Sequence, residues 1–259
     1  MDFALNEIQL EPKQQARAWL AERYSLDRDW DAGAGQDDRW SELEALGWLD
    51  VAEADLGFVE EALLLEEMGY ALYPGPYLAH VTGQTDVFGG GGTIETVDAT
   101  RPLLRLPTGA DESPRLRAAM AAEAVGVAQR VLELGIEHAT TRQQFGKPIG
   151  TYQAVAHQLA DTYTDVELAR SLAYWAAWCV AEEDEQAPVA AAAAKAFAVE
   201  AAVAACERSI QVHGGTGFTW EHPLHRFYKR ALWLAGFGSS PSQLRREVAD
   251  AVLGAKVTA

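Results

Sequence analysis

Arg142-Gln143-Gln144-Phe145-Gly146, running on into Lys147-Pro148-Ile149, stands between two long helical runs, and its reading decides the fold. Upstream, residues 115–140 keep apolar side chains at helical spacing, and Gly146 and Pro148 stop that run. Downstream, residues 151–184 form a second helical run ending in the acidic tip Glu182-Glu183-Asp184-Glu185. The corner between them offers one guanidinium and one aromatic ring. Arginine's planar fork suits a phosphate and phenylalanine can stack on a flat ring. On these residues alone, a plain helix–helix turn with an exposed arginine is the competing reading.

A third run, 187–206, holds twelve alanines in twenty residues, with Pro188 in the first turn, where proline is tolerated. Gly214-Gly215 interrupts the chain, and a last helix begins near Pro241 or Ser242. Long helices with short connections predict an antiparallel four-helix bundle over 115–259. Trp175, Trp178 and Trp233 are candidate interface or core aromatics, with core the default.

The N-terminal part, 1–82, is also predicted helical. Residues 3–30 form one run, 31–37 a break, and Asp37 or Asp38 caps a short helix that stops at Gly47. A helix over 57–72 turns Phe58, Ala62, Leu65 and Met68 inward, ending at Gly69-Tyr70 or shortly after. Residues 83–114 change character, with Gly89-Gly90-Gly91-Gly92 and short β-prone pieces at 93–97 and 103–106, and read as a linker with at most one hairpin. The four glycines lack a following lysine and helix, so they read as a flexible loop and not as a phosphate cradle.

Composition narrows the function. The 259 residues carry 21 basic and 38 acidic side chains, a net charge of −17. Such a surface repels a phosphate backbone and an anionic membrane, so nucleic acid and membrane are not expected partners. No apolar run of membrane-spanning length is found, and the first thirty residues lack an apolar signal core. Two cysteines, Cys179 and Cys206, make no disulfide framework, and a cytoplasmic setting is expected.

The second chemical stretch is Gln211-Val212-His213-Gly214-Gly215-Thr216-Gly217-Phe218. Its glycines permit close approach of a ligand to the backbone. His213, His222 and His225 are not spaced as metal ligands, with Pro223 between the last two, so no metal is expected.

The order Arg-x-Gln-Phe-Gly, Gln153, Leu159-Ala160-Asp161, an alanine-rich helix and Gln-x-x-Gly-Gly-x-Gly-Phe resembles the C-terminal helical domain of the acyl-CoA dehydrogenase family. Ala124-Val125-Gly126-Val127-Ala128-Gln129 looks like that domain's first helix, and the match runs from about Leu116 to Gln243. Trp40 to Trp48 and Leu65-Glu66-Glu67-Met68-Gly69 look like the family's N-terminal helical domain.

The resemblance implies FAD and the α,β-desaturation of an acyl-CoA, in which a carboxylate takes the α-proton and the β-hydride passes to the flavin. In the family each FAD crosses a subunit boundary. Carried over by motif, Arg142 contacts the pyrophosphate, Gln144 and Phe145 line the adenosine side, and Gln211, Gly214 and Gly215 meet the FAD by side chain or backbone. Glu221 matches a glutamate read as structural.

Two family features are missing. The middle β-domain has only 83–114 in its place, too few residues for a barrel core. The catalytic glutamate is also absent. Near Gly238 the chain reads Ala235-Gly236-Phe237-Gly238-Ser239-Ser240-Pro241, and the alternative position on the first C-terminal helix is Leu116. Neither offers a base for a C–H proton. Glu123, seven residues beyond Leu116 on the same helical face, is the remaining substitute, against a surface or packing duty.

The expectation is a mainly α subunit of a heteromeric, α2β2 acyl-CoA dehydrogenase, like the non-catalytic subunit of actinobacterial steroid-type enzymes. It would complete the FAD site of a full-length partner subunit that supplies the base. The alternative is a stand-alone protein of this fold with a structural role, or a non-redox one using His213, His222 or Glu123.

Overall fold

Asn6 opens the first helix, α1 (Glu7–Arg23), with a reciprocal cap: its side chain accepts from the Gln9 amide at 3.0 Å while Gln9 accepts from the Asn6 amide. The structure is a computed structural model that describes residues 5–28, 39–51, 56–88, 93–106 and 112–254. The helix is shorter than the predicted 3–30, because Tyr24 leaves helical geometry and buries its ring against Tyr73. The predicted break at 31–37, the Asp37 and Asp38 caps and the Gly89–Gly92 loop lie outside the described residues.

A short α2 (Trp40–Ala45) stops ahead of Gly47, whose φ of +74° makes the left-handed exit. The third helix, α3 (Phe58–Ala71), buries Phe58, Ala62, Leu65 and Met68 as its spacing predicts. Its left-handed end falls on Leu72, just beyond the expected Gly69-Tyr70. A six-residue α4 (Tyr77–Thr82) follows directly after Pro74-Gly75-Pro76, where no helix was predicted.

Residues 93–104 fold back on themselves and onto Val87. Ile94 and Leu103 exchange backbone hydrogen bonds at 2.7 and 3.0 Å, and the Leu104 amide donates to the Val87 carbonyl. Ser113 then caps α5 (Pro114–Thr141) by accepting from the Leu116 amide at 3.1 Å, with Pro114 in the first turn. α3 crosses α5 backbone to backbone at Gly126, where a Cβ would run into the Glu66 carbonyl and lie 2.7 Å from the Tyr70 amide nitrogen. That approach fixes the N-terminal helices on the bundle.

A two-residue-per-strand hairpin follows, β1 (Gln143–Gln144) antiparallel to β2 (Lys147–Pro148). It leads into α6 (Gln153–Ala181) and α7 (Ala187–His213). α8 (Leu224–Gly236) was not anticipated, although Leu224, Phe227, Ala231 and Leu234 keep helical spacing and are all buried. α9 (Pro241–Leu253) starts where predicted, behind a Ser240–Gln243 capping box. α5, α6 and α7 pack side by side, and α8 and α9 close over α7. Among the described residues the fold is thus mainly helical, as the sequence predicts. The two-strand hairpin is at 143–148, whereas one was expected only within 83–114, where Leu103 makes isolated bridges to Phe88 and Ile94.

Trp233 is buried, and Trp175 and Trp178 pack half-buried against the core. One expectation needs correction. α7 and the turn after it are long and apolar enough to cross a membrane by length and composition, with a window of mean hydropathy 1.7. Two-thirds of that window is buried among the other helices, which accounts for its apolar character.

Candidate functional site

The Arg142–Gly146 hairpin begins as α5 ends. The Arg142 amide donates to the His138 carbonyl, and the Arg142 carbonyl accepts from the Ile149 amide, both at 2.9 Å. Phe145 and Gly146 hold the turn at φ +52° and +81°. Two consecutive left-handed residues give the turn twist that a tight hairpin requires. Glycine adopts it freely, whereas a phenylalanine there is strained, and such strain concentrates at functional positions. Phe145 is 93% exposed, so no packing in this chain explains its ring. Tyr152 steadies the hairpin, donating from its hydroxyl to the Gln144 carbonyl at 3.1 Å and carrying the Lys147 ammonium over its ring at 4.2 Å. Arg142 and Gln144 are exposed.

Gln211 is exposed on the last turn of α7, and Gly214–Phe218 continues as a 3-10 turn. A Cβ added at Gly214 or Gly215 would meet no atom within 4 Å, so this backbone is open to a ligand from outside. Phe218 is 74% exposed beside it. Between the α5 and α7 ends lies a groove of about 280 Å³, lined by His138 and Thr141 and by His213 and Thr216, adjoining in sequence but not including the six carried-over residues. All six carried-over residues thus have exposed or open geometry, and an extended diphosphate nucleotide such as FAD fits what they offer: a guanidinium, amides, an exposed ring and free backbone.

His138 was not singled out in the sequence. It stands four residues before Arg142, one turn back on the same helix face, which is the signal that would have found it. Its ring stacks on His213 with centroids 4.3 Å apart, and His213 meets His222 at 4.6 Å. His225 stacks on exposed Trp220 at 4.3 Å, within electrostatic reach of His222. No group of three or more His, Cys, Asp or Glu among the described residues is arranged to hold a metal ion.

The region of the missing base is filled on its inner side by the chain's own side chains. Leu116 is buried and apolar. Gly238 adopts φ +66°, and a Cβ there would run into the Glu112 carboxylate. Glu112, from the segment ahead of α5, accepts from the Ser239 amide at 2.7 Å and pairs with Lys195, whose ammonium also donates to the Phe237 carbonyl at 2.7 Å. Both charged groups are fully buried. Burial lowers the Lys195 pKa against the opposing pull of Glu112. Phe88 stacks on Phe237 at 5.4 Å, with Trp233 against both.

Glu123 is 0% exposed and held between two guanidiniums, Arg101 and Arg230, each donating at 2.6 Å. A carboxylate so enclosed has no access to a substrate proton, so it does not replace the base. Arg230 pairs in turn with Asp98 and Thr100. Burial would raise the Asp98 pKa, but the Arg230 charge and its hydrogen bonds outweigh that and hold it below the ordinary range. These four charged groups pin the 93–106 loop to the bundle, so the predicted linker is docked where it is described. Sequence reading missed Glu112, Lys195, Asp98 and Arg101, because their partners are remote in sequence.

The profile of the acyl-CoA dehydrogenase C-terminal domain matches residues 114–253, more than half of the chain. Acyl-CoA dehydrogenase IpdE2 of Mycobacterium tuberculosis is 38% identical over 170 residues, covering 61% of this chain and 51% of that protein. The chain's match thus spans about half the length of this curated relative. Among solved structures, the ChsE4–ChsE5 complex from Mycobacterium tuberculosis superposes with a TM-score of 0.75 at 20% identity, covering 100% of both chains. A Tcur3481–Tcur3483 steroid ACAD variant superposes with a TM-score of 0.78 at 22% identity, covering 96% of this chain and 98% of that one.

Proposed function

Because the chain belongs to the acyl-CoA dehydrogenase family, we propose that it is a subunit of a heteromeric FAD-dependent acyl-CoA dehydrogenase. In this reading it completes a cofactor site whose base and flavin-covering domain come from a full-length partner subunit. One contrast carries the reading: the Arg142–Gly146 hairpin is fully presented to solvent, while the turn at Gly238 is filled by the Glu112–Lys195 pair. A chain that acted alone would need the opposite, an open base and a covered flavin.

FAD, when bound, supplies the hydride acceptor for α,β-desaturation. This chain's own residues bind and orient. Arg142 presents its guanidinium to the pyrophosphate, Gln144 and Phe145 line the adenosine side, and Gln211 with the Gly214 and Gly215 backbone holds the same edge. The chain divides into an N-terminal helical part at 1–82, a loop at 83–114 in place of the β-domain, and a C-terminal bundle at 115–259. An α2β2 assembly, with each cofactor crossing between unlike subunits, follows from this division of labour. It is in keeping with the heteromeric name of a structural neighbour. The substrate class is an acyl-CoA thioester. A steroid side-chain thioester is the first to try, since another neighbour is named a steroid ACAD. Cys179 and Cys206 are buried free thiols, which suits a reducing cytoplasm.

Co-purification with a full-length partner tests the proposal. A yellow complex that bleaches on adding acyl-CoA supports it, and a colourless complex contradicts it. The stand-alone non-redox alternative loses one of its acid–base groups, since Glu123 is locked between Arg101 and Arg230.

A further inference from the structure

Three imidazoles join the two segments to which the cofactor edge is assigned. His138 lies on the last turns of α5, His213 ends α7, and His222 lies in the turn before α8. Their rings are in continuous contact: His138 stacks on His213 with centroids 4.3 Å apart, and His222 meets His213 at 4.6 Å with its ring tilted by 59°. His213 is oriented by its Nδ1, 2.8 Å from the Ser209 carbonyl, and His222 by the Leu224 amide, 3.4 Å from its Nδ1. Arg142 is one turn beyond His138, and Gly214 is the next residue after His213. A change in the His138–His213 distance therefore changes the span between the guanidinium and the open glycine backbone.

We propose that His138, His213 and His222 are positioning residues: a neutral imidazole clasp that sets the spacing of the Arg142 and Gly214–Gly215 segments and releases it on protonation. The inference rests on the cofactor-edge reading for its purpose, but not for its geometry.

The direction follows from the surroundings. Burial lowers the His138 pKa, with smaller contributions from His213 and Arg142. Burial likewise lowers His213, opposed by the Ser209 carbonyl and by Glu137. His222 is lowered to about 4 by burial first and then by His213, His138 and His225. The charged or titratable groups facing the stack are thus Glu137 and Arg142 from α5 and its end, and His225 from α8. A separated ring regains the ordinary value of about 6.5. The open form therefore binds protons more readily, and the clasp is closed above that value and released progressively below it. Two stacked imidazoliums repel, which drives the ends of α5 and α7 apart.

Amide spectra of the 15N-labelled full chain, titrated from about pH 8 to about pH 5 across the imidazole range, test this without any flavin. The amides of Arg142, Gly214 and Gly215 are expected to shift together with one midpoint. In the His138→Phe/His222→Phe double variant, where only His213 can still take a proton and no second imidazolium repels it, that shared transition should disappear. Separate midpoints, static amides in the native chain, or an unchanged transition in the variant would overturn the proposal. If the double variant fails to fold, the native chain's shared midpoint and the single variant His222→Phe decide the matter. Flavin content of the Arg142→Ala complex judges the cofactor-edge reading separately. The clasp can thus fail while that reading stands, and the reverse.

Discussion

The Ser239 amide donates a 2.7 Å hydrogen bond to the Glu112 carboxylate. A carboxylate from the start of the bundle thus lies against the turn where the family resemblance looks for a glutamate, and it is fully committed there. Lys195 neutralises it and also donates to the Phe237 carbonyl, and Gly238 leaves it room. The turn itself stays half-buried from Gly238 to Ser240, but its inner side is occupied by this buried pair.

Breaking that lock should be costly. Glu112→Gln leaves Lys195 buried without its counter-charge, and a loss of about 3–5 kcal/mol in unfolding free energy is expected. Replacing both, as in Glu112→Leu/Lys195→Met, should restore a substantial part of it. Denaturant midpoints of the two variants check this, and a single variant as stable as the native chain would show the pair to be dispensable.

Restoring a glutamate should not restore catalysis. Gly238→Glu must place a side chain at φ +66° into the Glu112 carboxylate. A loss on the order of 2 kcal/mol is expected from strain and crowding. The variant chain should remain unable to drive flavin reduction by acyl-CoA. Bleaching at about 450 nm with the variant, under conditions where the partner's own base is removed, would show the turn to be more open than described.

Much of this was legible in the sequence. Helix starts were read where proline and serine mark them, as at Ser240-Pro241, because capping is a local interaction. The motif residues Arg142 to Gly146 and Gln211 to Gly215 were found because their types and spacing are local too. What could not be read depends on distant contacts. Lys195 meets Glu112 across 83 residues, and Arg230 meets Asp98 across 132. No period or motif records such pairs. α8 was overlooked for a different reason, since its apolar positions are interleaved with His225, Arg226, Lys229 and Arg230.

The docked loop should carry a pH signature. Asp98 is held below its ordinary range by Arg230. A carboxyl depressed in the folded state adds stability above its unfolded value of about 3.9, and that stability is lost as pH falls through the folded value. Asp98→Asn should therefore lower the melting temperature at neutral pH and flatten its decline between about pH 5 and about pH 3. Parallel melting curves for the native chain and the variant over that window would remove Asp98 from the account.

Phe145 should show a trade between stability and binding. Relieving its left-handed strain by Phe145→Gly should raise stability by up to about 1 kcal/mol, since the exposed ring packs against nothing in this chain. The same variant should retain less flavin in the complex. Higher stability with undiminished flavin would mean the ring has no cofactor duty.

The central claim, that this chain completes a cofactor site in a partner's enzyme, is tested most directly by the flavin content of the co-purified complex with native and Arg142→Ala chains. A charge-assisted contact to a diphosphate contributes on the order of 2 kcal/mol, so occupancy near the dissociation constant should fall by more than about tenfold with assembly intact. Equal flavin in the two complexes would contradict the account.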